Sequence, residues 1–156
     1  MTSHCELQIP DIIIQANLQH LDAIFAIENE CFSHPWDRAS LQNELEELSW
    51  SRTYISLCND TPVGYISFWS IADEYQILKV AVRPPFRQQR IGKRLLDHII
   101  QLGRLEHKAV ITLELRESNA GARALYEKSG FLVSGLRKRY YSDTGENAIV
   151  MNYYFQ

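Results

Sequence analysis

The chain has 156 residues, of which 46% are hydrophobic, and a formal net charge of −3 from 16 basic and 19 acidic residues. This length suits one domain with a substantial core, and because no linker is visible we expect a single domain over residues 1–156. No apolar run approaches the roughly 20 residues of a membrane span, and the acidic balance argues against direct nucleic-acid binding.

Cysteines and histidines show no disulfide or metal pattern. Cys5, Cys31 and Cys58 are far apart, form no CxxC pair and are odd in number, so we expect three reduced thiols in a cytoplasmic protein. The five histidines lack a ligand spacing such as HExxH, which predicts no metal site. The N-terminus has no basic region ahead of an apolar stretch, so we expect no signal peptide.

The first third of the chain predicts one strand and two helices. A β-branched run over 11–15 predicts a strand, and Asn17 can cap a following helix that carries Glu28 among its regularly spaced apolar residues. HPW at 34–36 interrupts the pattern before a second helix, which Asp37 can cap.

The middle of the chain is rich in strands. Residues 53–58 and 63–71 form a predicted hairpin around the turn sequence NDTP, and 74–82 adds a third strand. Two prolines and a basic loop then lead into a strongly amphipathic helix over 91–105, whose wide apolar face suits packing on a sheet.

The last third predicts a strand over 109–115, a helix over 120–128, and two strands over 131–141 and 148–155. A strand–helix–strand unit of this length predicts a parallel crossover. The order β α α β β β α β α β β predicts an α+β fold with about seven strands in a mixed sheet, antiparallel at first and parallel at the crossover, with helices on both faces.

Glu114 is the first residue that could carry chemistry, because it interrupts the most apolar strand between Leu113 and Leu115. Burial raises the pKa of a carboxyl, and a raised pKa suits a general base for an amine. The alternative is that Glu114 lies on an exposed face and pairs with Arg116 or with a neighbouring strand.

Tyr126 and Asn119 belong to the helix that follows this strand. A helical tyrosine beside leucines is ordinarily a packing residue, but a phenol can also protonate a departing thiolate. Asn119 precedes the helix and can cap it, a role that leaves its side chain free to contact a ligand as well.

Two basic segments complete the candidates. The loop RQQRIGK at 87–93 presents helix N-terminal N–H groups together with cations, which favours either an anion site or a solvated helix start. RKRYY at 137–141 interleaves cations and aromatics, as RNA-binding surfaces do, but cations also protect edge strands.

The joint spacing of these segments resembles the GCN5-related N-acetyltransferases, the GNAT family. VAVRPPFRQQRIGKRLL resembles their cofactor segment Q/R-x-x-G-x-G/A, and TLELRESNAGARALYEKSGF resembles the downstream segment of the RimI type, which acetylates the N-terminal alanine of a ribosomal protein. HPW and RKRYYSDTGENAIVM extend the resemblance from about Ile12 to Met151.

The resemblance implies a role for each candidate residue. It makes Glu114 the proton acceptor and Tyr126 the proton donor, with Asn119 near the thiol end of acetyl-CoA. The backbone of Val80, Ala81 and Val82 should bind pantetheine, and the pyrophosphate should be wrapped by Gln88, Gln89, Arg90, Ile91, Gly92 and Lys93. The acceptor groove should be lined by Trp36, Arg139, Tyr140 and Tyr141.

Arg90 departs from the family pattern, since the first glycine of the loop is usual at this position. An arginine must adopt ordinary helical angles there or accept strain, and its guanidinium could pair with a phosphate.

The activity that the resemblance implies is direct transfer of acetyl from acetyl-CoA to a primary amine, foremost the N-terminus of a ribosomal protein. A lysine or small-molecule amine and a non-catalytic acyl-CoA-binding module are the alternatives.

Overall fold

The computed structural model describes residues 12–156, in which seven strands form one mixed sheet in the order β1-β2-β3-β4-β5-β7-β6. The elements in chain order are β1 Ile12–Gln15, α1 Leu21–Cys31, α2 Arg38–Gln42, β2 Ser51–Cys58, β3 Thr61–Ile71, β4 Glu74–Val82, α3 Ile91–Leu105, β5 Val110–Arg116, α4 Ala120–Lys128, β6 Leu132–Arg137 and β7 Ala148–Tyr154. The predicted fold class and element order are confirmed.

Helices cover both faces of the sheet, as predicted. On one face Leu95 and Ile99 of α3 pack into the cluster that contains Phe68 and Ile111, and α4 joins the same cluster. On the other face α1 packs against β2, β3 and β4. Because side chains of a strand alternate between faces, the regular apolar spacing of the strands supplies both layers.

The sheet opens between β4 and β5, which are paired in parallel. Pairing runs from Glu74 opposite Val110 to Ile77 opposite Leu113 and goes no further. The register between β3 and β4 shifts at this level, which leaves Leu78 as an extra residue on β4. Such a bulge bends its strand and ends regular pairing, so the end of β4 and the end of β5 diverge.

The β6 strand ends earlier than the predicted 131–141. Arg139 has a left-handed φ of +54°, and its N–H donates to Asn147 Oδ1 at 3.0 Å. Arg116 holds the resulting loop by binding Asp143 at 2.9 Å. These contacts favour a turn over continued strand pairing.

The expectation of three reduced thiols is wrong for Cys58, which is disulfide-bonded in this structure. Separation along the chain does not limit which cysteines a fold brings together, and the expectation rested on that separation. Cys31 is a free thiol whose Sγ lies 3.4 Å from the carbonyl oxygen of Val82. Cys5 lies outside the described residues.

No helix within residues 12–156 is long and apolar enough to cross a membrane. Within the same range, no three His, Cys, Asp or Glu side chains are grouped so that they could hold a metal ion.

Candidate active site

The basic loop before α3 adopts a strained conformation that exposes a helix N-terminus. Arg90 is the N-cap of α3 with φ +65° and ψ +17°, and no side chain caps the helix. Gln88 is also left-handed, with φ +63°. The first-turn N–H groups of Ile91, Gly92 and Lys93 therefore have no intrahelical acceptors and attract an anion.

A cavity of about 740 Å³ lies over this helix start. Two of the cations around it have partners within the protein: Lys93 Nζ binds Asp97 at 2.9 Å, and Arg87 Nε donates to the carbonyl of Val82 at 2.9 Å. The exposed Arg90 guanidinium has no hydrogen bond or ion pair to another described residue. The cavity lining consists of Val82, Arg87, Gln88, Arg90, Ile91, Gly92, Lys93, Gly121, Ala124, Leu125 and Lys128.

Gly92 lets α3 and α4 approach each other at the cavity floor. A Cβ at this position would lie 3.3 Å from Leu125 Cδ2 and 3.7 Å from Val82 Cγ2. The backbone of Gly92 is thus accessible next to the uncapped N–H groups of α3 and the guanidinium of Arg90. The residues present fit the diphosphate of a nucleotide-like ligand.

A second cavity, of about 390 Å³, lies where β4 and β5 diverge, and we call it the gap cavity. It contains predicted residues from five separate parts of the chain. Its lining consists of Phe32, Ser33, His34, Trp36, Leu78, Lys79, Val80, Glu114, Leu115, Arg116, Asn119, Ala122, Tyr126 and Tyr141.

Glu114 is half-buried in the gap cavity and paired at the same time. Its side chain is 19% exposed, and its Oε1 lies 3.1 Å from Nε of Arg137 on β6. The hydrogen bond to this carboxylate raises the pKa of Tyr140. Of the two partners considered for Glu114, the neighbouring strand provides the ion pair, while Arg116 binds the β6–β7 loop instead.

Tyr126 is only 8% exposed, and its ring packs 5.7 Å from that of Phe131. Burial raises the pKa of Tyr126 to about 12. Tyr126 lines the gap cavity, and its hydroxyl has no hydrogen-bond partner among residues 12–156. A phenol that stays protonated at neutral pH is the form that a general acid requires.

Asn119 has the capping role that its position predicts. Its Oδ1 accepts a hydrogen bond from the N–H of Ala122 at 3.2 Å at the start of α4. Because it also lines the gap cavity, capping orients this side chain where a ligand can reach it.

Comparison with known proteins identifies the family. The model of the acetyltransferase (GNAT) family matches residues 21–131. The chain belongs to the GNAT family. As in other members, the acetyl donor is acetyl-CoA, and the chain is an N-acetyltransferase.

Relatives with named activities cover most of the chain. The Escherichia coli ribosomal protein bS18-alanine N-acetyltransferase is 34% identical over 137 residues, which are 84% of this chain and 88% of that protein. The Haemophilus influenzae enzyme of the same name is 34% identical over 92% of this chain and 98% of its own. The crystal structure of the E. coli enzyme superposes with a TM-score of 0.85 at 28% identity, covering 92% of each chain.

Some residues predicted to form the GNAT site lie away from both cavities. Ala81 is buried on the α1 face, and Gln89 and Arg139 line neither cavity. Tyr140 is 48% exposed and reaches Glu114 from outside the gap cavity. The structure does bring together Trp36 and Tyr141 of the predicted acceptor residues.

The sequence reasoning missed a buried ion pair behind the gap cavity. Glu28 of α1 is fully buried and binds Lys79 Nζ at 2.9 and 3.0 Å. The Tyr65 hydroxyl also donates to Glu28, whose other oxygen accepts the Trp36 N–H at 2.9 Å. The Lys79 ammonium lies 4.3 Å from the Trp36 ring centroid and 4.5 Å from that of Phe32.

This pair fastens the α1–α2 connection, which forms one wall of the gap cavity. A buried charge needs a partner, and the Glu28 position within the apolar series of α1 was the available signal. Lys79 had no comparable signal, since lysine in a strand is ordinarily solvated.

Proposed function

We propose that the protein transfers acetyl from acetyl-CoA to the N-terminal α-amino group of a protein, foremost the alanine N-terminus of a ribosomal protein. The relatives at 34% identity, named for that reaction, support the choice of acceptor. One observation carries the chemistry: the half-buried carboxylate of Glu114 and the buried phenol of Tyr126 line the same cavity, in the gap between β4 and β5.

The donor binds along β4, α3 and α4 in this proposal. The uncapped start of α3 holds the diphosphate, assisted by Arg90, and the backbone of β4 around Val80 and Val82 holds the pantetheine. Bound acetyl-CoA supplies the acetyl group as an activated thioester. Asn119 contacts the ligand near its sulfur.

Glu114 removes the proton from the acceptor ammonium, directly or through a water. An α-amino group has a pKa near ~7.7–8.0, so a carboxylate needs to supply only modest help at neutral pH. The Arg137 pair holds the Glu114 side chain in place from the side of β6.

Tyr126 protonates the thiolate that leaves. Because burial raises the pKa of Tyr126 to about 12, the phenol is protonated at neutral pH. It passes this proton to the sulfur as the carbon–sulfur bond breaks, and because a thiol with a pKa near ~8.5 is the stronger acid, the phenolate then regains a proton from solvent. The reaction then needs no covalent enzyme intermediate.

The proposal also assumes that residues 1–156 form a single GNAT domain. It places the protein in the cytoplasm, where ribosomal proteins are available as acceptors. A disulfide at Cys58 is uncommon in a reducing compartment. Quenching cells in acid and alkylating the unfolded protein therefore tests the location, because in a reducing cytoplasm this disulfide should be open and Cys58 should be alkylated. An oxidised Cys58 in quenched cells would contradict the cytoplasmic assignment.

The central experiment is mass spectrometry of synthetic peptides incubated with the protein and acetyl-CoA. We expect an alanine-starting ribosomal peptide to gain one acetyl group on its α-amine. Acetylation of internal lysines with an unmodified N-terminus would overturn the acceptor assignment. Binding of acetyl-CoA with no transfer to any amine would support the non-catalytic alternative instead.

Two variants test the roles of the catalytic pair. Tyr126→Phe and Glu114→Gln should each lower kcat by a factor of roughly 10² to 10⁴ with little change in acetyl-CoA affinity. Tyr54→Phe is the matched control, because Tyr54 is half-buried against Phe68 and lines neither cavity. A Tyr126→Phe enzyme as active as the control would remove Tyr126 from the mechanism.

A further inference from the structure

A third cavity, of about 270 Å³, shares only Glu114 with the lining of the gap cavity. It lies on the face of the sheet opposite α3, because Thr112 and Glu114 alternate along β5 with Ile111 and Leu113, which pack beneath α3. We call it the front groove. Its polar lining consists of Glu74, Gln76, Thr112, Glu114, Arg137 and Asn152.

The front groove has the chemistry of a site for an extended polypeptide. Its amides, hydroxyl and guanidinium can bind backbone carbonyls and N–H groups along a strand-like chain. Asn152 Oδ1 is buried and has no hydrogen-bond partner among residues 12–156, while its Nδ2 donates to the Tyr154 hydroxyl at 2.9 Å. A buried acceptor without a partner is costly, and an incoming N–H would satisfy it.

The far end of the groove carries an uncompensated charge. Glu74 is half-buried at the start of β4 and forms no ion pair with any residue in the described part of the chain. Glu114, at the near end, already has Arg137 as its partner. Glu74 is thus the carboxylate of this groove that a ligand cation can neutralise.

The distance between Glu74 and Glu114 indicates which residues of a bound peptide would lie next to each carboxylate. Glu74 pairs with Val110, and Glu114 follows Val110 by four residues on β5. At about 3.3 Å per residue this separation is roughly 13 Å, the span of about four residues of an extended chain. An amine beside Glu114 places the fourth or fifth residue of its own chain over Glu74.

We propose that the front groove binds the acceptor polypeptide beyond its N-terminus, and that Glu74 selects a lysine or arginine at the fourth or fifth residue. This inference rests on the proposed function, because it assumes an N-terminal amine at Glu114. It adds the specificity of the acceptor, which the GNAT assignment leaves open.

The test uses alanine-starting hexapeptides that differ by one lysine-for-glutamine exchange at each of positions two to six. With the wild-type protein we expect lysine at position four or five to lower the peptide KM by about fivefold relative to glutamine, the effect of one moderately screened ion pair. Lysine at the second or third position should have a smaller effect. Neither kcat nor the KM for acetyl-CoA should change.

Glu74→Gln should abolish this lysine preference, so that lysine and glutamine peptides have the same KM. Asp73→Asn is the matched control, because Asp73 is the adjacent acid in the β3–β4 turn and does not line the groove. The preference should persist in that variant and shrink as salt is added.

The outcomes separate the two proposals. N-terminal acetylation with the same lysine preference in Glu74→Gln and wild type overturns the groove assignment alone. Equal loss of preference in Glu74→Gln and Asp73→Asn also overturns it, because a general surface potential would then explain the effect. If no peptide is acetylated at its N-terminus, the proposed function fails and the groove assignment fails with it.

Discussion

Arg90→Gly separates the backbone role of the cofactor loop from its charge. The arginine holds φ at +65° at the N-cap of α3, in the region where an L-residue clashes with its own carbonyl and glycine does not. Its exposed side chain has no hydrogen bond or ion pair with another described residue, so removing it in the free protein breaks no polar interaction within residues 12–156. The variant therefore reports the strain that the loop carries.

The size of the effect follows from two opposing contributions. Removing the strain of the left-handed conformation stabilises the folded state by about 1–2 kcal/mol. Glycine also increases the entropy of the unfolded chain, which offsets roughly 0.5–1 kcal/mol of that stabilisation. The free energy of unfolding should rise by about 0.5 kcal/mol. For a domain of this size Tm should rise by ~1–2 °C.

Two further variants complete the comparison. Arg90→Ala removes the guanidinium but keeps the strained backbone, so its stability should match that of the wild type. Gln88→Gly relieves a similar φ of +63° in the same loop without removing a charge, so its stability should rise like that of Arg90→Gly. Urea denaturation of the ligand-free protein measures all three.

Acetyl-CoA titration of the same proteins measures the role of the charge. If Arg90 pairs with a phosphate, Arg90→Ala should raise Kd about fivefold, the value of one exposed ion pair. Arg90→Gly should stay within about twofold of wild type, because the bare backbone approaches the diphosphate more closely. Undiminished affinity in both variants would show that the guanidinium is only solvated, and equal stability of Arg90→Gly and Arg90→Ala would refute the strain argument.

Three other predictions concern the remaining parts of the site. Because burial raises the pKa of Tyr126 to about 12, kcat should not fall between pH 8 and 10, and a fall over that range that disappears in Tyr126→Phe would contradict the raised pKa. Glu28→Gln should lower the free energy of unfolding by about 3 kcal/mol and raise the peptide KM. Glu30→Gln is the control, because the Glu30–Arg83 ion pair is about one-third exposed, and it should lower the free energy of unfolding by under about 1 kcal/mol. Equal decreases in urea denaturation would exclude a special role for the buried pair. Gly92→Ala should raise the acetyl-CoA Kd several-fold in titrations, while the stability of the helix should stay the same or rise by up to ~1 kcal/mol. An unchanged Kd would contradict the role of the bare Gly92 backbone in binding the diphosphate.

Most of the fold could be predicted because its strands and helices have regular apolar spacing. The crossover through α3 followed from a strand, an amphipathic helix and a second apolar strand in succession. The end of β6 could not be predicted in the same way. Residues 138–141 follow β6 directly and are predicted to continue it, but a left-handed Arg139 and the Arg116–Asp143 contact turn the chain there. Both determinants depend on tertiary contacts.

The site divides along similar lines. Glu114, Asn119 and Tyr126 lie in motifs with fixed spacing, so the family resemblance could assign them roles, and the structure brings them into one cavity. The Glu28–Lys79 pair joins residues 51 positions apart. Periodicity placed Glu28 on the apolar face of α1, but no local pattern indicates which cation a buried carboxylate will meet across a sheet.

The bulge at Leu78 connects the fold to the proposed reaction. It ends the pairing of β4 with β5 after Ile77, which leaves backbone groups unpaired and opens a passage through the sheet. The cavity at the start of α3 lies on one side of this passage, and the front groove lies on the other. Donor and acceptor can therefore approach from opposite faces and meet only in the gap cavity, beside Glu114.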